Sequence, residues 1–264
     1  MRILFCGART AGYDCLKYLL DQHAQVVGVV TIDDTTGPRW AKSVLELARS
    51  AKLITFTQQN NKDPAFIESI RQLKPTVLFS VYYDKLIPAD ILNLCEWNIN
   101  IHGGKLPEYR GSFSNIWAIF NEEKASAATA HLMEATLDSG AILGVKPVAI
   151  TDDDTSKALY FKISNSATAL FKDIYQQLTI GKVQRTPQPD GGKSYRRQLP
   201  NEGMINWSWP AHKIHNFIRA LNFPPFQPAR TVLGDKEAYV YESRLEGDAI
   251  ILTDVQFTKK GTEQ

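Results

Sequence analysis

The sequence predicts an α/β protein: a doubly wound, mostly parallel sheet followed by a small C-terminal α+β extension. Three observations carry that expectation. Short apolar runs alternate with longer amphipathic ones over residues 1–102. The short runs are continuous and rich in β-branched residues, as strands covered on both faces are. The segments between them carry apolar residues at helical spacing. In chain order, RILFC (2–6), QVVGVVT (25–31), LITF (53–56), TVLFSVYY (76–83) and WNINIH (97–102) are the expected strands. AGYDCLKYLLDQ (11–22), AKSVLELARSAK (41–52) and PAFIESIRQLK (64–74) are the expected helices. Leu16, Leu19 and Leu20 form the apolar stripe of the first. Asp63 and Pro64 supply an N-cap and a Pro at the first helical position of the third. A sheet wound in this way binds ligands at the carboxyl ends of its strands.

Beyond residue 102 the alternation loosens. SNIWAIFN (114–121) reads as a helix, and ATAHLME (128–134) and AILGVKPVAI (141–150) read as strands. TSKALYFKISNSATALFKDIYQQL (155–178) reads as a long amphipathic helix. Asp152, Asp153, Asp154 and Thr155 stand where caps and negative charge favour a helix start, which explains the acidic run better than a metal site does. TPQPDGGKS (186–194) has the Pro and Gly content of a connector. The expected division is a catalytic domain, 1–183, and an extension, 184–264. The extension holds a helix, PAHKIHNFIRALN (210–222), and two strands, EAYVYESRL and AIILTDVQF, able to close a hairpin.

Composition narrows the class. A chain of 264 residues, 44% hydrophobic, has enough apolar surface for a large core. Its formal charge of +2 lacks the Lys and Arg excess of a nucleic-acid binder, and Arg196-Arg197 reads as a solvated pair. Cys6, Cys15 and Cys95 show no CxxC or Cys/His pattern; they fit reduced, buried thiols and a cytoplasmic setting, with no metal site. The apolar run of MRILFCG is too short for a signal-peptide core, and no run approaches a membrane span.

Two strand ends carry the candidate chemistry. The loop GARTAG after the first strand is not a dinucleotide fingerprint, because Arg9 stands where a second Gly must admit a pyrophosphate. That disfavours a nicotinamide oxidoreductase. The stretch NINIHGGKLPEYRG (98–111) places Asn100 and His102 one strand repeat apart, so both leave the same face. A His at a strand end is able simply to cap a loop. Asp138, in the turn Asp-Ser-Gly, offers a third polar group, though that tripeptide is also an ordinary turn. A carboxylate facing a His orients the ring and raises its basicity, and an Asn N–H stabilises an oxyanion. Together the three suit acyl transfer to an amine.

The three ordered elements Asn100-Ile-His102, Leu106-Pro-Glu-Tyr-Arg110-Gly111 and Asp138-Ser-Gly140 resemble the formyltransferases that use N10-formyltetrahydrofolate. The resemblance includes KLIP (85–88) and runs from about residue 1 to residue 230. It implies a formyltransferase-like Rossmann variant with Asn100, His102 and Asp138 as the catalytic set. It also implies a folate cleft lined by Leu86, Ile87, Pro88, Gly111, Met133 and Leu137. Where the family often has Ser and Leu after the His-x pair, this chain has Gly104 and Lys105; Lys105 reads as a solvated loop lysine or as a contact to phosphate or the folate tail.

The acceptor is a separate question. Similar enzymes formylate methionyl-tRNA, glycinamide ribonucleotide or a nucleotide-linked amino sugar. INWSWPAHKIHNFIRALNFPPF (205–226) resembles the tRNA enzymes, which continue into a further barrel, whereas here a short tail follows Phe226. The near-neutral charge argues against a tRNA grip. SYRRQLPNEGMINW with FIRALNFPPFQPA most resembles sugar-nucleotide N-formyltransferases of the 4-amino-4,6-dideoxyhexose type. The expected acceptors are therefore dTDP-4-amino-4,6-dideoxyglucose or GDP-perosamine, made for surface polysaccharide such as O-antigen. Arg9, Tyr82, Tyr83, Lys85 and Lys105 are the candidate nucleotide-sugar contacts. A homodimer through the tail strands is expected, with no nucleic-acid or membrane partner. The rivals are a methionyl-tRNA formyltransferase-like enzyme and a non-catalytic nucleotide-binding module.

Overall fold

The computed structural model describes residues 1–34, 40–57, 60–134 and 136–258. In chain order its elements begin β1 (Ile3–Gly7), α1 (Arg9–Asp21), β2 (Val26–Val30), α2 (Val44–Ser50), β3 (Thr55–Phe56), α3 (Pro64–Gln72), β4 (Val77–Val81), α4 (Ala89–Leu92) and β5 (Trp97–His102). There follow β6 (Arg110–Gly111), α5 (Ser114–Phe120), β7 (Ala125–Leu132), β8 (Ile142–Ala149), α6 (Ser156–Thr179) and β9 (Ser194–Tyr195). After a 3-10 turn at Pro200–Gly203 come α7 (Ala211–Leu221), β10 (Ala229–Leu233), β11 (Lys236–Glu246) and β12 (Ala249–Phe257). The expected strands and helices are present with ends moved by a few residues. The short α4, β6, β9 and β10 are additions, because two to five residues carry too little periodicity to read.

Among the described residues the main sheet has the order β3-β2-β1-β4-β5-β7-β8. β1 to β5 pair in parallel, whereas β7 runs antiparallel to β5. Parallel pairing requires crossovers, and α1, α2, α3 and α4 supply them. The caps work as the sequence suggests: the Asp63 carboxylate accepts from the Ala65 N–H at 2.9 Å, with Pro64 at the first helical position. Both sheet faces are covered. Leu4, Cys6, Val30 and Leu78 pack with Phe66, Ile67, Ile70 and Ile91 on one side. On the other, Phe5 and Phe79 meet the Phe171 ring edge-on at 6.3 and 4.8 Å between centroids. Large aromatics contribute most where they bury this much area.

By contacts the chain forms two compact units, each assembled from three segments: Met1–Arg110, Ala127–Pro147 and Ile163–Lys193 in the first, and Gly111–Ser126, Val148–Lys162 and Ser194–Gln264 in the second. Strands and a long helix pass through both, so no single cut in the sequence separates them. In the second unit α7 buries Ile214, Phe217, Ile218 and Leu221. Trp209, half-buried, packs against Phe120 and Phe217, and the buried Phe223 against Tyr160, so both serve packing. Trp207 and Phe226 remain substantially exposed. β10, β11 and β12 form an antiparallel sheet, with β11 and β12 the expected hairpin. No helix among the described residues is long and apolar enough to cross a membrane.

Candidate active site

β5 delivers Asn100 and His102 to the carboxyl end of the main sheet, and its antiparallel neighbour completes the site. The register pairs Asn100 with His131 and His102 with Thr129. Directly opposed residues on an antiparallel pair share a face, so Asn100, His102, Thr129 and His131 form one polar patch. Each polar group has a task. The Thr129 hydroxyl donates to the Gly104 carbonyl at 2.8 Å and so anchors the loop leaving β5. That loop returns to place the Tyr109 carbonyl 2.7 Å from His102 Nε2. A carbonyl only accepts, so Nε2 carries the proton and Nδ1 of the neutral ring is bare.

His102 Nδ1 faces Asp138 Oδ2 at 3.6 Å, and Asp138 Oδ1 lies 3.3 Å from His131 Nε2. His131 donates from Nδ1 to the Leu132 carbonyl at 2.7 Å, which leaves Nε2 to accept from Asn100 Nδ2 at 3.0 Å. His102 and Asp138 are each 8% exposed and His131 1%. Burial pushes the His102 pKa below the ordinary imidazole value, because charging a desolvated ring is costly; the Asp138 carboxylate opposes that shift and His131 adds to it. His102 is therefore neutral near pH 7, and its free lone pair lies between the ring and a carboxylate. A proton arriving at Nδ1 forms an ion pair with Asp138.

Of the folate-lining candidates, Leu86, Ile87, Pro88, Met133 and Leu137 occupy two segments of the first unit. Leu86 and Leu137 are exposed to 74% and 53%, which is high for apolar side chains. Ile87 and Met133 pack on the sheet core behind them. Asn61, which the sequence did not single out, donates to the Leu86 carbonyl at 2.8 Å and accepts from the Tyr83 hydroxyl at 3.0 Å. Leu4, Cys6, Val30, Asn61, Phe66, Tyr83, Ile87 and Ile91 line a small cavity there. Gly111 belongs to the second unit, where a side chain would meet the Tyr195 carbonyl.

The nucleotide-sugar candidates divide. Tyr83 is turned into the core, with burial raising its phenol to about 12, so its hydroxyl serves Asn61. Arg9 pairs with Asp84 at 3.2 Å and lies over the Trp40 ring. Tyr82 lies against Gly103, where a β-carbon would come within 2.6 Å of its hydroxyl, so it borders the His102 strand end. Lys85 is half-buried, and Lys105 is paired with Glu108 at 2.8 Å on the surface.

Residues 1–174 match the Formyl transferase family, and residues 199–257 its C-terminal domain. The chain belongs to the formyl transferase family. It is 30% identical over 249 residues to the bifunctional polymyxin resistance protein ArnA of Wigglesworthia glossinidia brevipalpis; that match takes in 93% of this chain and spans 38% of the relative's length. The N-formyltransferase of Helicobacter canadensis, solved with folinic acid and dTDP-3-aminofucose, superposes with a TM-score of 0.79 at 25% identity, over 93% of this chain and 88% of the other. WlaRD, a sugar 3N-formyltransferase solved with dTDP and 5-N-formyl-THF, shares the fold with a TM-score of 0.78 at 24% identity, over 94% and 87%.

In this member of the family the sequence-predicted Asn100, His102 and Asp138 are brought together, and His131 joins them. A signal for His131 did exist: Thr129 and His131 repeat on β7 the two-residue spacing of Asn100 and His102. What the sequence lacked was the register that sets the two pairs opposite each other. The connector 186–193 also proves more than a linker. Thr186 exchanges backbone hydrogen bonds with Ile142, and the Gln188 amide reaches the Asp138 turn.

Proposed function

We propose that the protein transfers a formyl group from N10-formyltetrahydrofolate to the amine of a nucleotide-linked amino-dideoxy sugar. The observation that carries this reading is the buried cluster in which Asp138 faces the bare Nδ1 of a neutral His102 beside Asn100. The co-substrate supplies an activated formyl carbon, and the exposed Leu86 and Leu137 fit the flat apolar face of a folate ring. His102 takes the ammonium proton of the acceptor at Nδ1, where Asp138 stabilises the imidazolium. The freed amine then bonds to the formyl carbon, the carbon–N10 bond breaks, and N10 of the folate leaves with the second proton that the amine gives up. The second N–H of Asn100 donates to the oxyanion that develops on the formyl oxygen. His131 holds the Asn100 amide in orientation through its bond at 3.0 Å. Tyr82, Lys85 and Arg9 are the proposed contacts to the acceptor.

The family and the relatives solved with dTDP support a nucleotide-sugar acceptor, and dTDP-3-aminofucose in one of them adds 3-amino sugars to the expected 4-amino ones. A role in surface polysaccharide such as O-antigen, and a cytoplasmic setting, follow from the same reading. The exposed Val232, Leu245 and Phe257 of the β10–β12 sheet support a homodimer, which light scattering tests. The deciding experiment is a mass-spectrometric product assay with N10-formyltetrahydrofolate and 3-amino and 4-amino sugars on dTDP, with GDP-perosamine. One formyl added to one member supports the reading. Formylation of charged initiator tRNA instead, with none of the sugars modified, would overturn it.

A further inference from the structure

The Asp138 turn is held from a distance. Asp138 has a left-handed backbone (φ 52°), a conformation that a non-glycine residue keeps only where its surroundings hold it there. The Leu132 N–H to the Ala141 carbonyl, at 2.9 Å, closes the hairpin below, and Ser139 bonds locally to the Thr136 carbonyl. Gln188 reaches the turn from the connector: its Nε2 donates to the Asp138 and Gly140 carbonyls, both at 2.8 Å. Its Oε1 accepts from Arg110 Nε at 3.2 Å and Nη2 at 2.7 Å.

All four hydrogen-bonding positions of that amide are thus used. Its orientation is fixed as well, because a flipped amide would set oxygen against two carbonyls and NH2 against a guanidinium. Gln188 is half-buried while Thr186, Pro187, Pro189 and Asp190 are exposed, so its side chain is turned in from a surface strap. Arg110 is held in turn by the Gly191 carbonyl at 3.4 Å and by its own N–H on the Lys193 carbonyl at 3.0 Å. It follows Tyr109, whose carbonyl holds His102 Nε2. One network therefore grips both His102 and the peptide that carries Asp138.

We infer that Gln188 is a positioning residue: braced by Arg110, it staples the Asp138–Gly140 turn so that the Asp138 carboxylate stands between His102 and His131. The inference rests on the reading that Asp138 supports His102 in formyl transfer. Without the staple the turn relaxes, the carboxylate moves off the ring, and the base loses its counter-ion. Gln188→Glu keeps a partner for Arg110 and removes both donors, so it separates stapling from filling space.

The test uses Gln188→Ala, Gln188→Glu, Asp138→Asn and the double variant Asp138→Asn/Gln188→Ala. Substrates are N10-formyltetrahydrofolate and whichever amino-sugar nucleotide of the panel the wild type accepts. For both Gln188 variants kcat falls about 10- to 100-fold with each KM changed less than about 2-fold, as expected of a misplaced reacting group. The acid limb of the pH profile moves to lower pH in Gln188→Ala. The groups facing His102 are the Asp138 carboxylate, the His131 ring and the Tyr109 carbonyl, and of the two ionisable ones Asp138 raises its affinity for protons. NMR titration of the His102 ring reads the same shift on folded protein without any acceptor. In the Asp138→Asn background the Gln188 substitution changes kcat by less than about 2-fold, the non-additivity of groups acting as one. Wild-type kcat and His102 titration in Gln188→Ala, with Asp138→Asn strongly slowed, overturn the inference and leave the reading intact. So does a Gln188 effect undiminished in Asp138→Asn. Full activity of Asp138→Asn itself sinks the reading first.

Discussion

Two loops of the first unit are held by the same device and differ in what the device presents. At Leu86–Pro88 a buried Asn61 donates to a carbonyl and accepts from a neutral phenol, Tyr83. At Asp138–Gly140 a half-buried Gln188 donates to two carbonyls and accepts from a cation, Arg110. The first staple sits over apolar core, with Ile87 packed on that core and Leu86 exposed. The second sits over titratable groups and offers a carboxylate. The strength of each follows its setting: the neutral bonds of Asn61 depend on burial, whereas Gln188 adds to its two neutral bonds a charge-assisted pair from Arg110, which tolerates water. One staple should govern binding and the other turnover.

The comparison is broken most severely at the groups that the second staple presents. His102→Ala or Asp138→Asn lowers kcat by about 10²- to 10⁴-fold, the scale of a lost general base or its counter-ion, while circular dichroism keeps the native α/β signature. The converse belongs to the first staple. Asn61→Leu leaves the Tyr83 hydroxyl and Leu86 carbonyl without their partner, costing about 1–3 kcal/mol in denaturant titration. It raises KM for the folate co-substrate about 10-fold with kcat within about 2-fold, a difference of about 1.4 kcal/mol in binding. If kcat falls instead and KM holds, the two staples have the same role and the contrast fails.

A pH profile sharpens the contrast further. His102 must be neutral to accept a proton, and burial lowers its pKa in the folded state. The acid limb of kcat/KM therefore lies below the ordinary imidazole value of about 6.5. Stability moves in the same direction: the unfolded chain takes up this proton at about 6.5 while the native ring resists it, so falling pH through and below that value removes stability. Asn61 variants should leave this limb unmoved.

The smallest effect is read at a thiol. Cys6 lines the cavity beside Asn61, and burial raises its pKa far above that of a free thiol, as it does for Cys15. Cys95 is raised to about 12. The native protein should react with a thiol reagent many times more slowly than the denatured chain. Asn61→Ala, which loosens the wall of that cavity, should speed labelling of Cys6 and leave Cys15 unchanged. Mass spectrometry after peptide digestion assigns the label, and equal acceleration of both would point to global unfolding.

Much of this was legible before the structure. The β1 to β5 strands announce themselves because strands buried on both faces must be apolar throughout. Asn100 and His102 share a face because a strand has a period of two, whatever its neighbours. Gln188 lay hidden in a segment rich in Pro and Gly, because composition describes how a backbone turns and not what a side chain reaches. Tyr83 looked like a ligand contact because an aromatic beside a strand end has no mark that distinguishes core from cleft. Its partner Asn61 lies 22 positions earlier.

By itself, then, the sequence determined the alternation of strand and helix, the face shared by Asn100 and His102, and the Asp-Ser-Gly turn that supplies Asp138. These depend on local backbone geometry, which each residue and its near neighbours dictate. Only the tertiary structure decided that β7 runs antiparallel to β5 with His131 opposite Asn100, and that Gln188 closes on the Asp138 turn 50 positions away. Register and long-range hydrogen bonds are settled by which surfaces pack together. A one-residue slip of β7 would leave every local preference satisfied and turn His131 to the other face of the sheet.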